Sequence, residues 1–269
     1  MNAKRILVIA CCVLALATGA RGQMPSTVFL EDLTWTELRR DIESGKTTII
    51  VPIGGTEQNG PHMALGKHNA RARALAEKIA RDLGNALVAP VIAYVPEGGD
   101  NPPSGHMRFP GTITIPDQTF EQVLEYAARS FKLHGFRDIV FIGDHGGYQK
   151  DEQVVSDRLN REWAATPVRA HAILEYYRVT NTIYVDALRS RGFSAAEIGT
   201  HAGVADTSLT LALAPGMVRT DRLAIAAKPA ASDGVYGDPR RASAEVGQLG
   251  VDTIVATTVA AIKKATARR

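Results

Sequence analysis

Thr47-Thr48-Ile49-Ile50-Val51-Pro52-Ile53-Gly54-Gly55-Thr56-Glu57-Gln58-Asn59-Gly60-Pro61-His62 is an apolar, β-branched run that breaks into a loop of Gly, Pro and polar side chains. Its first seven residues read as a buried strand. The loop continues through Gly66-Lys67-His68-Asn69, and Asn69 is placed to cap a helix on which Ala70, Ala74, Leu75, Ile79 and Leu83 recur at helical spacing. A strand thus hands a carboxylate, an amide and two imidazoles to a sheet edge, where open α/β folds bind ligands.

Working outward, Thr34-Trp35-Thr36-Glu37 forms a capping box that opens a helix ending at Gly45. Residues 87–95 read as a second apolar strand, with Pro90 marking a bend or an edge position. Residues 96–110 make a Gly/Pro-rich loop long enough to serve binding. Phe120, Val123, Leu124, Ala127 and Phe131 mark an amphipathic helix ended at Gly135. A strand at 138–142 runs into Gly143-Asp144-His145-Gly146-Gly147. Helix 149–165, strand 168–174, helical residues 181–190, a polar turn at 197–207, helix 208–213, a Gly/Pro loop at 229–241 and helix 242–265 complete the chain. Alternation of this kind predicts an α/β fold with a mostly parallel central sheet covered by helices on both faces.

The first 22 residues read as a secretory signal peptide. Lys4 and Arg5 precede an apolar run at 6–17 that is too short to span a bilayer, and Ala20 and Gly22 suit a cleavage site before Gln23. An uncleaved anchor is the other reading. Cleavage leaves a single domain, 23–269, in a secreted or periplasmic setting. Cys11 and Cys12 go with the leader, which excludes disulfides and Cys-ligated metals from the mature chain. Loss of Lys4, Arg5 and Arg21 cancels the formal charge of +3, which removes support for nucleic-acid binding or an anionic membrane surface.

Of the seven histidines, His62, His68, His106, His145 and His201 lie in loops beside Gly, Pro or another break. His134, at a helix end, suits the helix dipole, and His171 within a strand reads as a packed core residue. Glu57 and His145 each follow a strand directly. His68 lies at a helix start, where the dipole disfavours protonation, and Asp206 lies at another helix entry. Two imidazoles and two carboxylates suit Zn²⁺ or Mn²⁺. The other reading is a set of loop-capping polar residues.

Thr34-Trp35, the run from Gly55 to His62, Phe109-Pro110-Gly111-Thr112, His145-Gly146-Gly147, His201-Ala202-Gly203 with Asp206-Thr207-Ser208, and the run from Gly234 to Pro239 occur in the order seen in the creatininase (creatinine amidohydrolase) family, which the chain resembles over nearly all of its mature length. The resemblance implies a three-layer α/β/α fold, a homohexamer, and a two-metal centre that hydrolyses amide-type C–N bonds. It gives Glu57 and His145 as metal ligands, Asp206 as a position able to bind metal, and His201 as a proton-transfer residue. Several positions depart from the pattern. Asn59 stands where relatives have a histidine, His68 where they have the bridging aspartate, and Gly147 where creatinine-hydrolysing members have a further glutamate. Asp144 stands in a Gly-Asp-His sequence where Asn-Gly-His is usual.

One metal is therefore expected, at Glu57, His68 and His145 with Asp206 as fourth ligand. Asn59, His62, His106 and Asp144 are expected around the substrate or supporting the ligands, and Arg108 beside the substrate. No tryptophan lies between Trp163 and His201, where creatinine-hydrolysing members place one, so creatinine is not the expected substrate. The expected function is metal-dependent hydrolysis of a small amide or cyclic amide. The rivals are a peptidase-like relative acting on a peptide end, and a non-catalytic metal- or ligand-binding protein.

Overall fold

The computed structural model describes residues 27–225 and 230–267. The expected signal peptide and Pro229 of the second Gly/Pro loop lie outside them. Four parallel strands, β1 (Thr48–Ile53), β2 (Ala86–Val88), β3 (Asp138–Gly143) and β4 (Arg169–Ala172), form one sheet in the order β2-β1-β3-β4. Among the described residues, ten α-helices surround it: α1 (Trp35–Glu43), α2 (Lys67–Leu83), α3 (Asp117–Leu133), α4 (Gln149–Glu162), α5 (Glu175–Arg178), α6 (Ile183–Ser190), α7 (Ala195–Ile198), α8 (Val204–Leu213), α9 (Thr220–Ile225) and α10 (Ala244–Thr266).

Alternation along the strands divides the core in two. Ile50, Val140 and Ile142 pack with Leu75 and Ile79 of α2, Leu209 of α8 and Val251 and Ile254 of α10. Ile49, Val51, Ile139 and Phe141 face the other way, onto Phe120 and Leu124 of α3 and Val155 and Leu159 of α4. The result is the expected three-layer α/β/α architecture.

The register of β1 against β3 runs from Thr48 opposite Asp138 to Ile53 opposite Gly143. The loops carrying Glu57 and Asp144-His145 therefore leave the sheet side by side. The Thr34–Glu37 capping box forms as read.

Several local expectations change. The second strand ends at Val88, ahead of Pro90, which has no N–H for a ladder; β2 does lie at the sheet edge. Helix α2 starts at Lys67 with Gly66 as N-cap, so Asn69 does not cap it. Asn69 Oδ1 instead accepts from the Gly55 N–H at 3.0 Å and its Nδ2 donates to Thr56 Oγ1 at 3.2 Å, which pins the opening loop. Gly54 makes room for this, since a Cβ there would lie 2.1 Å from Asn69 Oδ1. Helix α8 begins at Val204, four residues earlier than expected, so Asp206 stands in its first turn. The short helices α5, α7 and α9 were not expected. His171 is half-buried and its Nε2 lies 2.9 Å from Asp138 Oδ1, so it is a polar cross-strand partner at the edge of the core and not the packed core residue expected.

Candidate metal centre

Glu57 is the hub of the site. The β1 strand ends four residues earlier, and the loop turns its side chain into full burial behind a cavity of about 340 Å³. Its two oxygens face different surroundings. Oε1 lies 2.7 Å from His68 Nε2, 3.7 Å from His201 Nδ1 and 3.9 Å from Lys67 Nζ. Oε2 has no hydrogen bond; around it are His106 Nε2 at 3.2 Å and His145 Nε2 at 3.7 Å.

Behind His145 stands Glu97, whose Oε2 lies 3.7 Å from His145 Nε2. Both Glu97 oxygens are buried without a hydrogen bond. Burial and then the neighbouring charge of Glu57 push the Glu97 carboxyl up to about 9. The backbone makes this approach possible: Gly55 has φ +147°, and a Cβ on it would lie 2.5 Å from Glu97 Oε1.

A carboxylate and a carboxyl held protonated thus converge in a buried pocket with oxygens that lack hydrogen bonds, an arrangement that costs free energy until a cation joins them. Two overlapping trios, Glu57–Glu97–His145 and Glu57–His106–His201, bring their donor atoms within 4.8 Å of one another. In a tetrahedral zinc site with bonds near 2.0–2.1 Å, donor atoms sit about 3.3 Å apart. The 3.2–3.7 Å spacings around Glu57 Oε2 match that. Burial lowers the imidazoles: His145 falls to about 4, His201 to about 3, and His106 moves the same way. At neutral pH these rings are uncharged and each offers one lone pair. The Gly147 N–H lies 3.1 Å from His145 Nδ1 and the Gln58 side-chain amide nitrogen 2.9 Å from His106 Nδ1, so a cation at either Nε2 would take the place of the proton that nitrogen carries. The residues present therefore fit a divalent cation with nitrogen and carboxylate ligands.

His201 is held by backbone pairing with Tyr236, whose N–H donates to the His201 carbonyl at 2.9 Å. Its Nε2 lies 3.0 Å from the Gln58 backbone carbonyl oxygen and 3.2 Å from the Gln58 side-chain nitrogen; the nearer, carbonyl partner favours the proton on Nε2, with Nδ1 toward Glu57.

On the Oε1 side the charges close into a ring. His68 Nδ1 meets Asp144 Oδ2 at 2.6 Å, and Arg71 Nη2 meets the same oxygen at 2.9 Å. Arg71 Nη1 binds Asp206 Oδ1 at 2.8 Å, and Asp206 Oδ2 lies 3.2 Å from Lys67 Nζ, which returns to Glu57. Burial would raise the Asp144 and Asp206 carboxyls, yet Arg71 holds both below the usual range, with Lys67 acting more strongly on Asp206.

The expected set of Glu57, His68, His145 and Asp206 is therefore not the set that converges. Glu57 and His145 come together. His68 has both ring nitrogens engaged by carboxylates, and Asp206 is taken by Arg71, Lys67 and the Ala202 N–H at 2.9 Å. Asp144 is likewise committed to His68, Arg71 and the Tyr176 hydroxyl at 2.9 Å. Asn59 supports the loop, its Nδ2 donating to the Glu57 carbonyl at 2.8 Å. His62, which burial lowers to about 4, bonds Thr207 Oγ1 at 3.0 Å. His106 joins the ligand cluster itself, while Arg108 is exposed and absent from the cavity wall. Glu97 and Lys67 were missed. Glu97 sits between Pro96 and Gly98 in the long loop, the same kind of setting that singled out His106.

Fold and site together define a three-layer α/β/α framework with a candidate metal-ligating cluster at the sheet edge. A family model described as creatininase, creatinine amidohydrolase, matches residues 31–262. The chain belongs to the creatininase family of hydrolases. Creatinine amidohydrolase of Pseudomonas putida is 29% identical over 205 residues, 74% of this chain and 77% of that protein. The mycofactocin precursor peptide peptidase of Mycolicibacterium smegmatis is 32% identical over 196 residues, 70% of this chain and 66% of that protein. Solved structures of a manganese form of creatininase and of a zinc–zinc form of a variant superpose with TM-scores of 0.73 and 0.72, at 25% and 26% identity, each covering 89% of this chain and 98% of the other.

Proposed function

We propose that this chain is a metal-dependent hydrolase of an amide-type C–N bond, holding Zn²⁺ or Mn²⁺ between Glu57, Glu97 and His145, with His106 beside them. The carrying observation is the pair of buried carboxylates whose Glu57 Oε2 and both Glu97 oxygens lack partners, set against neutral imidazoles. A bound divalent cation would polarise a carbonyl and ease ionisation of water.

The chain's own residues support the rest of the chemistry. His201, neutral and with Nδ1 turned to the cluster, takes a proton as attack proceeds and returns it to the leaving nitrogen. Gln58 keeps that ring in place: its amide nitrogen donates to the Gly234 carbonyl at 3.0 Å and its oxygen accepts from the Gly60 N–H at 2.9 Å. His106 and Tyr236 are among the residues that line the cavity. A small amide or cyclic amide other than creatinine is the substrate class we favour. A peptide end is the second reading, favoured by the 32% identity to a peptide peptidase. The basic, apolar N-terminus supports export of the mature chain, and family resemblance supports a homohexamer.

Purified protein stripped with a chelator and reloaded with Zn²⁺ or Mn²⁺ should hydrolyse members of a panel of small amides, lactams and short peptides only when loaded. The class of panel member turned over separates the two readings. A metal-binding protein that turns over nothing in the panel would contradict both.

A further inference from the structure

Lys67 plays no part in the hydrolytic reading, yet its position is among the most constrained in the molecule. Its side chain is entirely inaccessible, and it projects from the first residue of α2 to the floor of the cavity. Nζ lies 3.2 Å from Asp206 Oδ2 and 3.9 Å from Glu57 Oε1, and has no well-formed hydrogen bond. Buried ammonium groups are expensive unless anions surround them, so two carboxylates are committed to this one cation.

We infer that Lys67 stands in for a second divalent ion, so that the chain binds one such ion per protomer, on the Oε2 side of Glu57, with a fixed ammonium on the Oε1 side. The inference rests on the metal reading above. Three observations on the Oε1 side carry it.

First, Oε1 is already engaged by His68 Nε2 at 2.7 Å, and the other nitrogen of that ring is bound to Asp144. Second, the remaining carboxylate there, Asp206, gives one oxygen to Arg71 at 2.8 Å and faces Lys67 and the Ala202 N–H with the other. A divalent ion placed between Glu57 and Asp206 would touch the ammonium, a like-charge contact in a medium that screens poorly. Third, the amide nitrogen of Asn59 is turned to backbone, donating to the Glu57 and Ala64 carbonyls at 2.8 and 3.2 Å, which leaves only its neutral Oδ1 without a hydrogen bond. His62 Nε2 lies 3.0 Å from Thr207 Oγ1, and Nδ1 is its one nitrogen without a hydrogen bond. The Oε2 side, by contrast, keeps unbonded carboxylate oxygens and the His145 imidazole.

The test is a count of bound zinc per protomer, by elemental analysis and native mass spectrometry, after loading full-length mature protein with excess ZnCl₂ and gel filtration. Wild type should carry one. Lys67→Ala removes the ammonium that faces both Glu57 Oε1 and Asp206 Oδ2, leaving the space between them open and the two carboxylates with His68, Arg71 and the Ala202 N–H as partners on that side, and should carry two. Adding Asp206→Asn to Lys67→Ala removes the vacated anion and should return the count to one. Two zinc ions in wild type, or one in folded Lys67→Ala, overturns the inference. If Lys67→Ala does not fold, the wild-type count decides alone. A wild-type count of zero instead overturns the metal reading beneath it, a result distinct from two.

Discussion

Replacing Glu97 by glutamine should stabilise the metal-free chain at neutral pH while crippling its hold on metal. In the fold the Glu97 carboxyl is pushed from 4.5 up to about 9, by burial and then by Glu57. In the unfolded chain it ionises at its ordinary value. Between those two values folding must take up a proton, so this group's contribution is intact below pH 4.5 and is eroded as pH rises toward 9. Each pH unit costs about 1.4 kcal/mol, which amounts to about 3 kcal/mol by pH 7. Glutamine never ionises and escapes that cost.

Urea unfolding in EDTA should therefore show Glu97→Gln more stable than wild type by about 3 kcal/mol at pH 7, with the two converging near pH 4.5. Saturating metal should reverse the order, because free ion a thousandfold above Kd adds about 4 kcal/mol to a protein that can bind it. Equal stability in EDTA at pH 7, or a less stable variant, would refute the placement of Glu97 as a buried, unpartnered carboxyl against Glu57.

Two further outcomes follow from the geometry. His201→Asn should lower kcat about 10²- to 10⁴-fold on a hydrolysed amide with the zinc count unchanged; loss of zinc along with activity would make His201 a ligand instead of a proton carrier. Arg71→Ala strands Asp144 and Asp206 in the interior and should cost about 3–5 kcal/mol in chemical unfolding, part of it recovered by adding Asp144→Asn; a loss under 1 kcal/mol would mean that solvent reaches the ring.

Much of the scaffold was legible because it is locally encoded. The β-branched run into Gly54, the Thr34–Glu37 capping box and the Asp138–Gly143 strand each carry their signal within a few residues. Glu57 and His145 were legible for the same reason, since each directly follows a strand. What failed was long-range pairing. Asp206 has the ligand-like setting of a helix entry, but its fate is decided by Arg71 and Lys67, more than 130 positions away in the chain. His68 looked free because nothing near it in sequence reveals Asp144 as its partner. Glu97 returns to Glu57 only through the fold of a long Gly/Pro loop, whose path no periodicity records. The short helices α5, α7 and α9 contain four to six residues each, too few to show a helical repeat.

The central claim is that Glu57, Glu97 and His145 together hold the metal, and anomalous diffraction at the zinc edge from zinc-loaded crystals tests it most directly. The account predicts one anomalous peak per protomer in contact with Glu57 Oε2, Glu97 and His145. A peak bound by Asp206 and His68, with Glu97 uninvolved, would contradict it.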